Sequence, residues 1–311
     1  MTETTAHRNK NHIPISVAMA TCNGEKFIGR QIDSILSQTL QPAEIIVCDD
    51  ASTDSTFRIL KQYEEKSLIK LYSNEKRLGV VGNFKKAVSL TAPDHFIALS
   101  DQDDIWLPEK LKHAAQQLLK FDSSIHPCIV YSDMMMIDEE EKQINHSFLN
   151  ELGLDKYEHS FNTLLYANFV AGCTVLMNVK MRELFTTIPN SRSFNHDTWI
   201  ALIAFSMGKV NKLSAPSILY RKHGQNVSLA NHRKKSRLLK VVDHLKSAFI
   251  QNKFLDDQLV LAKEFYRHFK DDLSDDNKKI IQQFLRQEKS SSLKRKIAFE
   301  LAFRDKWIKR F

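Results

Sequence analysis

Three carboxylates fall within four residues in the run Ser100-Asp101-Gln102-Asp103-Asp104-Ile105-Trp106. Like charges crowded this way repel one another unless they are fully solvated or meet a cation. Carboxylate oxygens are ligands that suit Mg2+ or Mn2+, and such an ion is also held by the phosphates of a bound substrate. The plainer alternative is a solvated acidic turn that caps a helix beginning near Pro108. An apolar run leads straight into the cluster, which puts it at a strand end and weakens that alternative. A second pair, Asp49-Asp50, also ends an apolar run and is followed by Ala51-Ser52-Thr53-Asp54. Capping accounts for Asp54. Two adjacent acids exceed what a cap requires, and a carboxylate there can accept hydrogen bonds from a base N–H or a ribose hydroxyl.

Groups of this kind need a scaffold. The runs ISVAMAT (15–21), EIIVCD (44–49), LIKLYS (68–73) and HFIALSD (95–101) are rich in Ile, Val and Leu and read as strands. Between them Phe27, Ile28, Ile32, Ile35 and Leu36 recur at helical steps, as do Leu111, Ala114, Ala115, Leu118 and Leu119. Asp54 and Ser55 suit the cap of a helix starting near Thr56, and Pro108 suits a first helical turn. Such repeats imply right-handed βαβ units and a mostly parallel sheet covered on both faces. Ligands then bind outside the carboxyl ends of the strands, where the acids lie. Further on, PCIVYSDMMMID (127–138), GCTVLMN (172–178) and SILYRKHG (217–224) read as strands, HDTWIALIAFSMG (196–208) as a helix, and the chain after Asn231 as helical. The serines at 290–292 are the best linker candidate, ahead of a short basic helix.

Taken in order, Thr21-Cys22-Asn23-Gly24, Asp49-Asp50-Ala51-Ser52-Thr53-Asp54, Leu78-Gly79-Val80-Val81-Gly82-Asn83 and Ser100-Asp101-Gln102-Asp103-Asp104 resemble the motifs of family 2 glycosyltransferases. Those are inverting enzymes with a GT-A fold, and the resemblance covers residues 14–230. The Ser-Asp-Gln-Asp-Asp-Ile-Trp form is similar to bacterial surface-polysaccharide members, rhamnosyltransferase-like ones included. The resemblance implies an α/β GT-A domain, Rossmann-like with a mostly parallel sheet flanked by helices, followed by a C-terminal helical extension over 231–311. It assigns Thr21, Asn23 and Glu25 to the nucleotide pocket, with Asp49 or Asp50 facing base and ribose. Asp101-Gln102-Asp103 becomes the DxD motif, Asp103 the direct ligand of a divalent metal (Mg2+ or Mn2+) and Asp101 nearer the ribose or metal waters. Arg77 and a loop from Gly79 to Asn83 lie near the donor. Ala51 stands where the family more often has Gly, and Cys22 where Tyr is frequent. Asn195-His196-Asp197-Thr198-Trp199 occupies the position of the family's catalytic acid residue, making Asp197 the base; read from the residues alone, Asp197 is equally an N-cap. His223 in Tyr220-Arg221-Lys222-His223-Gly224 is implied to complete the metal's shell. Gly172, in a small-residue loop, and Trp106 and Trp199 fall on the acceptor side, the tryptophans either stacking on sugar rings or packing.

Bulk composition agrees. Eight Gly, seven Pro and four Cys exclude collagen, low complexity and a disulfide scaffold. Cys22, Cys48, Cys128 and Cys173 form no CxxC pair and are expected as reduced thiols. The net charge of +8 is unevenly placed: residues 1–230 hold 24 Lys+Arg against 26 Asp+Glu, and residues 231–311 hold 21 against 11. A uniformly cationic nucleic-acid binder is disfavoured, and no nucleic acid is expected as a partner. A disordered stretch at 1–13 lacks a signal-peptide core, so the chain is expected in the cytoplasm. The segment LKRKIAFELAFRDKWIKRF mixes basic and apolar residues, as an interfacial helix on anionic lipid at the inner membrane face does. The expected partners are a nucleotide diphosphate-sugar donor and a saccharide or lipid-linked saccharide acceptor. Rival readings fare less well. A dehydrogenase needs a GxGxxG after the first strand, and a sugar nucleotidyltransferase a Gly-rich basic loop there, whereas the sequence reads Thr-Cys-Asn-Gly-Glu. A non-catalytic nucleotide-sugar or membrane-binding module is the third.

Overall fold

The computed structural model describes residues 14–189, 195–224 and 255–304. β1 (Ile15–Thr21), β2 (Glu44–Asp49), β3 (Lys70–Ser73) and β4 (Phe96–Ser100) lie parallel. They join β6 (Cys128–Tyr131), β9 (Leu176–Met177) and β10 (Lys209–Lys212) in a seven-stranded sheet of order β10-β6-β9-β4-β1-β2-β3. Only β9 runs against its neighbours. Residues of β1 and β2 alternate between two apolar layers: Val17, Met19, Ile45 and Val47 on one face, Ala18, Ile46 and Cys48 on the other. Burial on both faces explains why these strands read as continuous apolar runs.

On one face α1 (Ile28–Leu36) buries Ile28, Ile32 and Ile35, and α4 (Lys110–Leu118) buries Leu111, Ala114, Ala115 and Leu118. α2 (Thr56–Glu65) packs beside α1 on this face. The other face carries α3 (Gly79–Ser89), α7 (Val179–Phe185) and α8 (His196–Met207). Helix α8 is apolar all round, with Trp199 to Ala204 all buried. Its outer side is covered by α6 (Phe161–Leu164) and by three C-terminal helices, α9 (Asp256–Phe269), α10 (Asp275–Leu285) and α11 (Ser292–Arg304). Trp199 meets Phe265 edge-on at 5.5 Å, and Asn277 Nδ2 donates to the Ser206 carbonyl at 2.7 Å.

A second, four-stranded sheet has the order β5-β11-β7-β8, from β5 (Ile105–Trp106), β11 (Ile218–Arg221), β7 (Met135–Ile137) and β8 (Gln143–Asn145). β5 follows the acidic run directly and pairs antiparallel with β11, Leu219 opposite Ile105. That pairing carries residues 221–223 back to the acids more than a hundred positions upstream.

Several expected elements differ. The run 127–138 divides between the two sheets, because Asp133 turns the chain: its carboxylate accepts from the Met134 and Leu149 amides and from the Ser147 hydroxyl, at 2.8, 3.1 and 2.5 Å. Residues 172–178 hold a 3-10 turn, Gly172–Thr174, before a strand of two residues. Gly79–Asn83 is the first turn of α3 instead of a loop. The serines at 290–292 lead into α11 with Ser292 buried, so they are not a free linker. The expectations for 1–13, 231–254 and 305–311 lie outside the described residues.

Because Phe265 is fully buried against Trp199, Phe265→Ala is expected to cost about 3–5 kcal/mol. Denaturant unfolding followed by tryptophan fluorescence should show one transition at a lower midpoint, the mark of helices that share one core with the sheet.

Candidate active site

A cavity of about 450 Å³ opens at the carboxyl ends of β1 and β4. This is the point where β1's neighbours diverge, β2 on one side and β4 on the other, and a parallel sheet opens a crevice there. Its lining includes Thr21, Asp50, Asn83, Asp101, Asp103, Gly172, Asp197 and His223 among the residues expected from sequence. Gln102, Phe84, Phe148, Asn168, Phe169 and His196 line it as well. Of these, Gln102 and His196 sit inside motifs read for their acids, whereas Phe148 and Phe169 come from a stretch with no motif.

The acidic loop is fastened to the end of β1. Gln102 Oε1 accepts from the Thr21 hydroxyl at 2.7 Å and the Cys22 amide at 2.8 Å, and its Nε2 donates to the Cys22 carbonyl at 3.2 Å. Gly24 is required by this staple, since a Cβ there would lie 2.5 Å from Gln102 Oε1. Asn23 and Glu25 lace the same loop to the next: Asn23 Oδ1 accepts from the Thr53 amide at 2.9 Å and Glu25 Oε2 from the Ser55 amide at 2.8 Å. Ala51 adopts a left-handed φ of 53°, a conformation that glycine takes most readily.

Both members of the Asp49-Asp50 pair are turned inward. Asp49 accepts from the Ser52 amide and hydroxyl at 3.1 and 2.5 Å, closing its own turn. Asp50 accepts from the Leu78 and Gly79 amides at 2.7 and 2.9 Å and from Asn74 Nδ2 at 2.8 Å, so it caps α3 from another strand. Asn83 braces the ends of β1 and β2 through the Thr21 and Cys48 carbonyls. Asn23, Glu25, Asp49, Arg77 and Gly79 are not among the lining residues, and Arg77 is exposed.

The acids themselves occupy three levels. Asp104 is sunk beneath the floor, 1% exposed, with Oδ1 accepting from the Arg221 amide at 3.3 Å. Its Oδ2 has no hydrogen-bond partner among the described residues. Burial, then the charges of Asp103 and Asp101, push its carboxyl well above the usual range. Asp101 is pushed up to about 7 by burial and by the charges of Asp103 and Asp197. Asp103 Oδ2 lies 2.8 Å from His223 Nε2. Asp101, Asp103 and His223 all line the cavity, but among the described residues the group whose candidate ligand atoms lie within 4.8 Å of one another is Asp101, Asp104 and Cys173, not the expected trio. Oxygen and imidazole donors, an orphaned carboxylate oxygen and carboxyls that resist ionisation together fit a divalent cation.

Asp197 lines the same cavity from the first turn of α8, where Asn195 is the N-cap residue. Burial raises its carboxyl to about 6, against the lowering effect of bonds from Thr198 and the Gly172 amide. Next to it His196 is packed 4.2 Å from the Phe84 ring, and burial lowers its imidazole to about 4, so it is neutral at pH 7. The two tryptophans do not reach the cavity. Trp106 is 2% exposed beneath Lys110 Nζ, and Trp199 is fully buried against Phe265, so neither offers a ring face to a sugar. Their size and polar tips suggested a binding role, but core packing absorbs both.

Gly172 is the tight point: a Cβ there would lie 2.5 Å from His196 Nε2, and the ring has little room to retreat from Phe84 and Phe185. Gly172→Ala is expected to cost about 1–3 kcal/mol. Paired thermal melts and activity assays should show a lower Tm and a larger loss of turnover than the Tm explains, because the same residue's amide holds Asp197.

Compared with known proteins, residues 16–185 match the model for glycosyl transferase family 2. The UDP-Glc:alpha-D-GlcNAc-diphosphoundecaprenol beta-1,3-glucosyltransferase WfgD of Escherichia coli is 30% identical over 203 residues, covering 65% of this chain and 72% of that protein. The dTDP-rhamnosyl transferase RfbG of Shigella flexneri is 25% identical over 285 residues, covering 80% of this chain and 93% of that one. With another curated relative, 35% identical over 127 residues, the chain spans 44% of the relative's length. The solved structure of S. aureus TarS 1-349 in complex with UDP-GlcNAc aligns with a TM-score of 0.55 at 18% identity, over 83% of this chain and 73% of that one. The shared fold is the GT-A arrangement. With the family match spanning more than half of its length, the chain belongs to glycosyl transferase family 2.

Proposed function

We propose that the protein is an inverting glycosyltransferase that moves a hexosyl or deoxyhexosyl unit from a nucleoside diphosphate-sugar to an acceptor hydroxyl, in synthesis of bacterial surface polysaccharide or glycolipid. The observation that carries this reading is that Asp197 lines the same cavity as Asp101, Asp103 and His223, near enough to Asp101 that its charge raises that carboxyl. Asp197 accepts the proton of the acceptor hydroxyl while that oxygen attacks the anomeric carbon. The bond from that carbon to the diphosphate breaks from the opposite side, and the nucleoside diphosphate leaves. A carboxyl held near 6 suits a base that works at neutral pH. Asp101, Asp103 and His223 would hold the divalent cation, which offsets the charge gathering on the leaving diphosphate. Gln102 keeps the acidic loop on the nucleotide side, and Thr21 supports that loop. Phe148 and Phe169 give the acceptor side its ring faces in place of Trp106 and Trp199.

The donor is to be found by thermal shift with Mn2+ across nucleotide-sugars, since a bound donor raises Tm by mass action. With that donor, Asp197→Asn is expected to retain the Tm gain and lose about 10²–10⁴-fold in turnover. In the wild type, kcat should climb with pH through about 6, as Asp197 gives up its proton and becomes the active base. Near-normal turnover by Asp197→Asn would remove this residue from the mechanism.

The acceptor is proposed to be a lipid-linked saccharide met at the cytoplasmic face of a membrane. Among the described residues no helix is long and apolar enough to cross a bilayer. Helix α11 instead turns Leu293, Ile297 and Leu301 outward, 67%, 52% and 57% exposed, while Phe303 packs inward. Lys294 and Lys296 flank the stripe, and three more basic residues follow at 306, 309 and 310. That combination fits an anionic lipid surface. In flotation assays the protein should rise with anionic vesicles, fall away with added salt, and fail to rise once Leu293, Ile297 and Leu301 are all changed to Ser. Equal flotation of that variant would overturn the membrane reading and leave the transfer chemistry untouched.

A further inference from the structure

Arg221 ends β11 two residues before His223, and its side chain is 2% exposed. A buried cation is costly unless it is paired and hydrogen-bonded, so its partners are informative. Nε donates to the Asp103 carbonyl at 3.1 Å. Nη1 donates to the carbonyls of Asp138 and Glu139, at 3.4 and 3.1 Å, in the turn between β7 and β8. Nη2 donates to Glu141 Oε1 at 3.2 Å. The guanidinium also lies 4.8 Å over the Phe27 ring, which itself lies 5.0 Å from the His223 ring. Glu141 is half exposed and is already held by Arg30 through two bonds, at 3.0 and 3.1 Å. Three of these four bonds end on backbone carbonyls, one in the acidic loop and two in the β7–β8 turn.

We propose that Arg221 is a positioning residue, whose guanidinium fixes the backbone of Asp103 and the β7–β8 turn in one frame so that the Asp103 carboxylate meets the His223 ring. This deepens the reading in which that pair holds the divalent cation, and it rests on that reading for its metal arm alone. The fork geometry is the requirement. A guanidinium directs five donors from a fixed plane, whereas a lysine offers three from one point. Arg221→Lys keeps the charge and loses the frame. The turn is further clasped to the start of α1 by the Lys26–Glu139 ion pair, so the frame links the acidic loop, the turn and the helix that follows β1.

The test measures Mn2+ binding through the free-ion EPR signal, together with Tm and hydrogen–deuterium exchange, on the full chain carrying Arg221→Lys, Phe27→Leu or Asp103→Asn. Arg221→Lys is expected to weaken Mn2+ binding by about 10- to 100-fold. It should also speed exchange at 101–104 and 138–142 together, with β1 and β2 unchanged. A role confined to stability would lower Tm and leave the Mn2+ Kd of the folded protein where it was, and that result overturns the proposal. If Asp103→Asn binds Mn2+ like the wild type, the cation reading fails. Exchange then decides alone: linked loosening of the two segments supports the frame, and unchanged exchange refutes it. Should Arg221→Lys not fold, Phe27→Leu is expected to show a smaller loss of Mn2+ affinity in the same direction, and no loss there refutes the proposal.

Discussion

Repulsion among three carboxylates at the end of β4 is the constraint around which the site is arranged. Each is managed differently. Asp104 is sunk and held off by the Arg221 amide, Asp103 is matched with His223, and Asp101 remains at the cavity with a carboxyl pushed up to about 7. The second sheet exists at this place to bring Arg221 and His223 back to the acids, through a two-residue strand whose pairing with β11 fixes the register. Asp197 adds a fourth acidic group to the same cavity. On the proposed reading, a cation would offset this crowding, which would tie the stability of the site to occupancy by its ligands.

The same bookkeeping governs the other side of the cavity. A helix N-terminus is a common seat for a phosphate. Here α3 points its first turn toward the cavity, yet the Leu78 and Gly79 amides are already bound by Asp50. That partial positive charge is consumed inside the protein. On the proposed reading, the donor's diphosphate would look to a cation held on the acidic wall, which is how a neutral-to-acidic region would accept an anionic substrate.

Much of this was legible from residue patterns, and the failures share a cause. β1, β2, α1 and α4 declare themselves because their apolar periodicity is local and strong. The acidic loop was marked by its crowded carboxylates at a strand end, whereas Asp197 and His223 were singled out only by the resemblance to family 2 glycosyltransferases; all of them line one cavity. Helix α3 was hidden by its two glycines, since its cap comes from Asp50, far upstream. The 127–138 run looked uniform, and only the distant partners of Asp133 reveal the break. Trp106 and Trp199 were misplaced because a tryptophan's type does not say which neighbours cover it; Lys110 and Phe265 do. Asp49 and Asp50 lay at the expected strand end, but their carboxylates serve turns and caps. Pattern located these groups, and long-range hydrogen bonding decided what they do.

Phe169 lines the cavity on one side and stacks on His159 at 4.0 Å on the other, with Phe205 of α8 at its edge. A few residues earlier, Tyr166 meets Phe284 and accepts from Gln287, and Tyr157 meets Phe303. The wall that borders the cavity is therefore the inner surface of a layer whose outer surface is the C-terminal helices. A chimera that exchanged acceptor preference between relatives by joining them near residue 230 would cut across this layer and mismatch its rings. On the proposed reading, the unit to exchange is the stretch 148–170 carried together with 255–304, two segments remote in the chain whose side chains pack against each other.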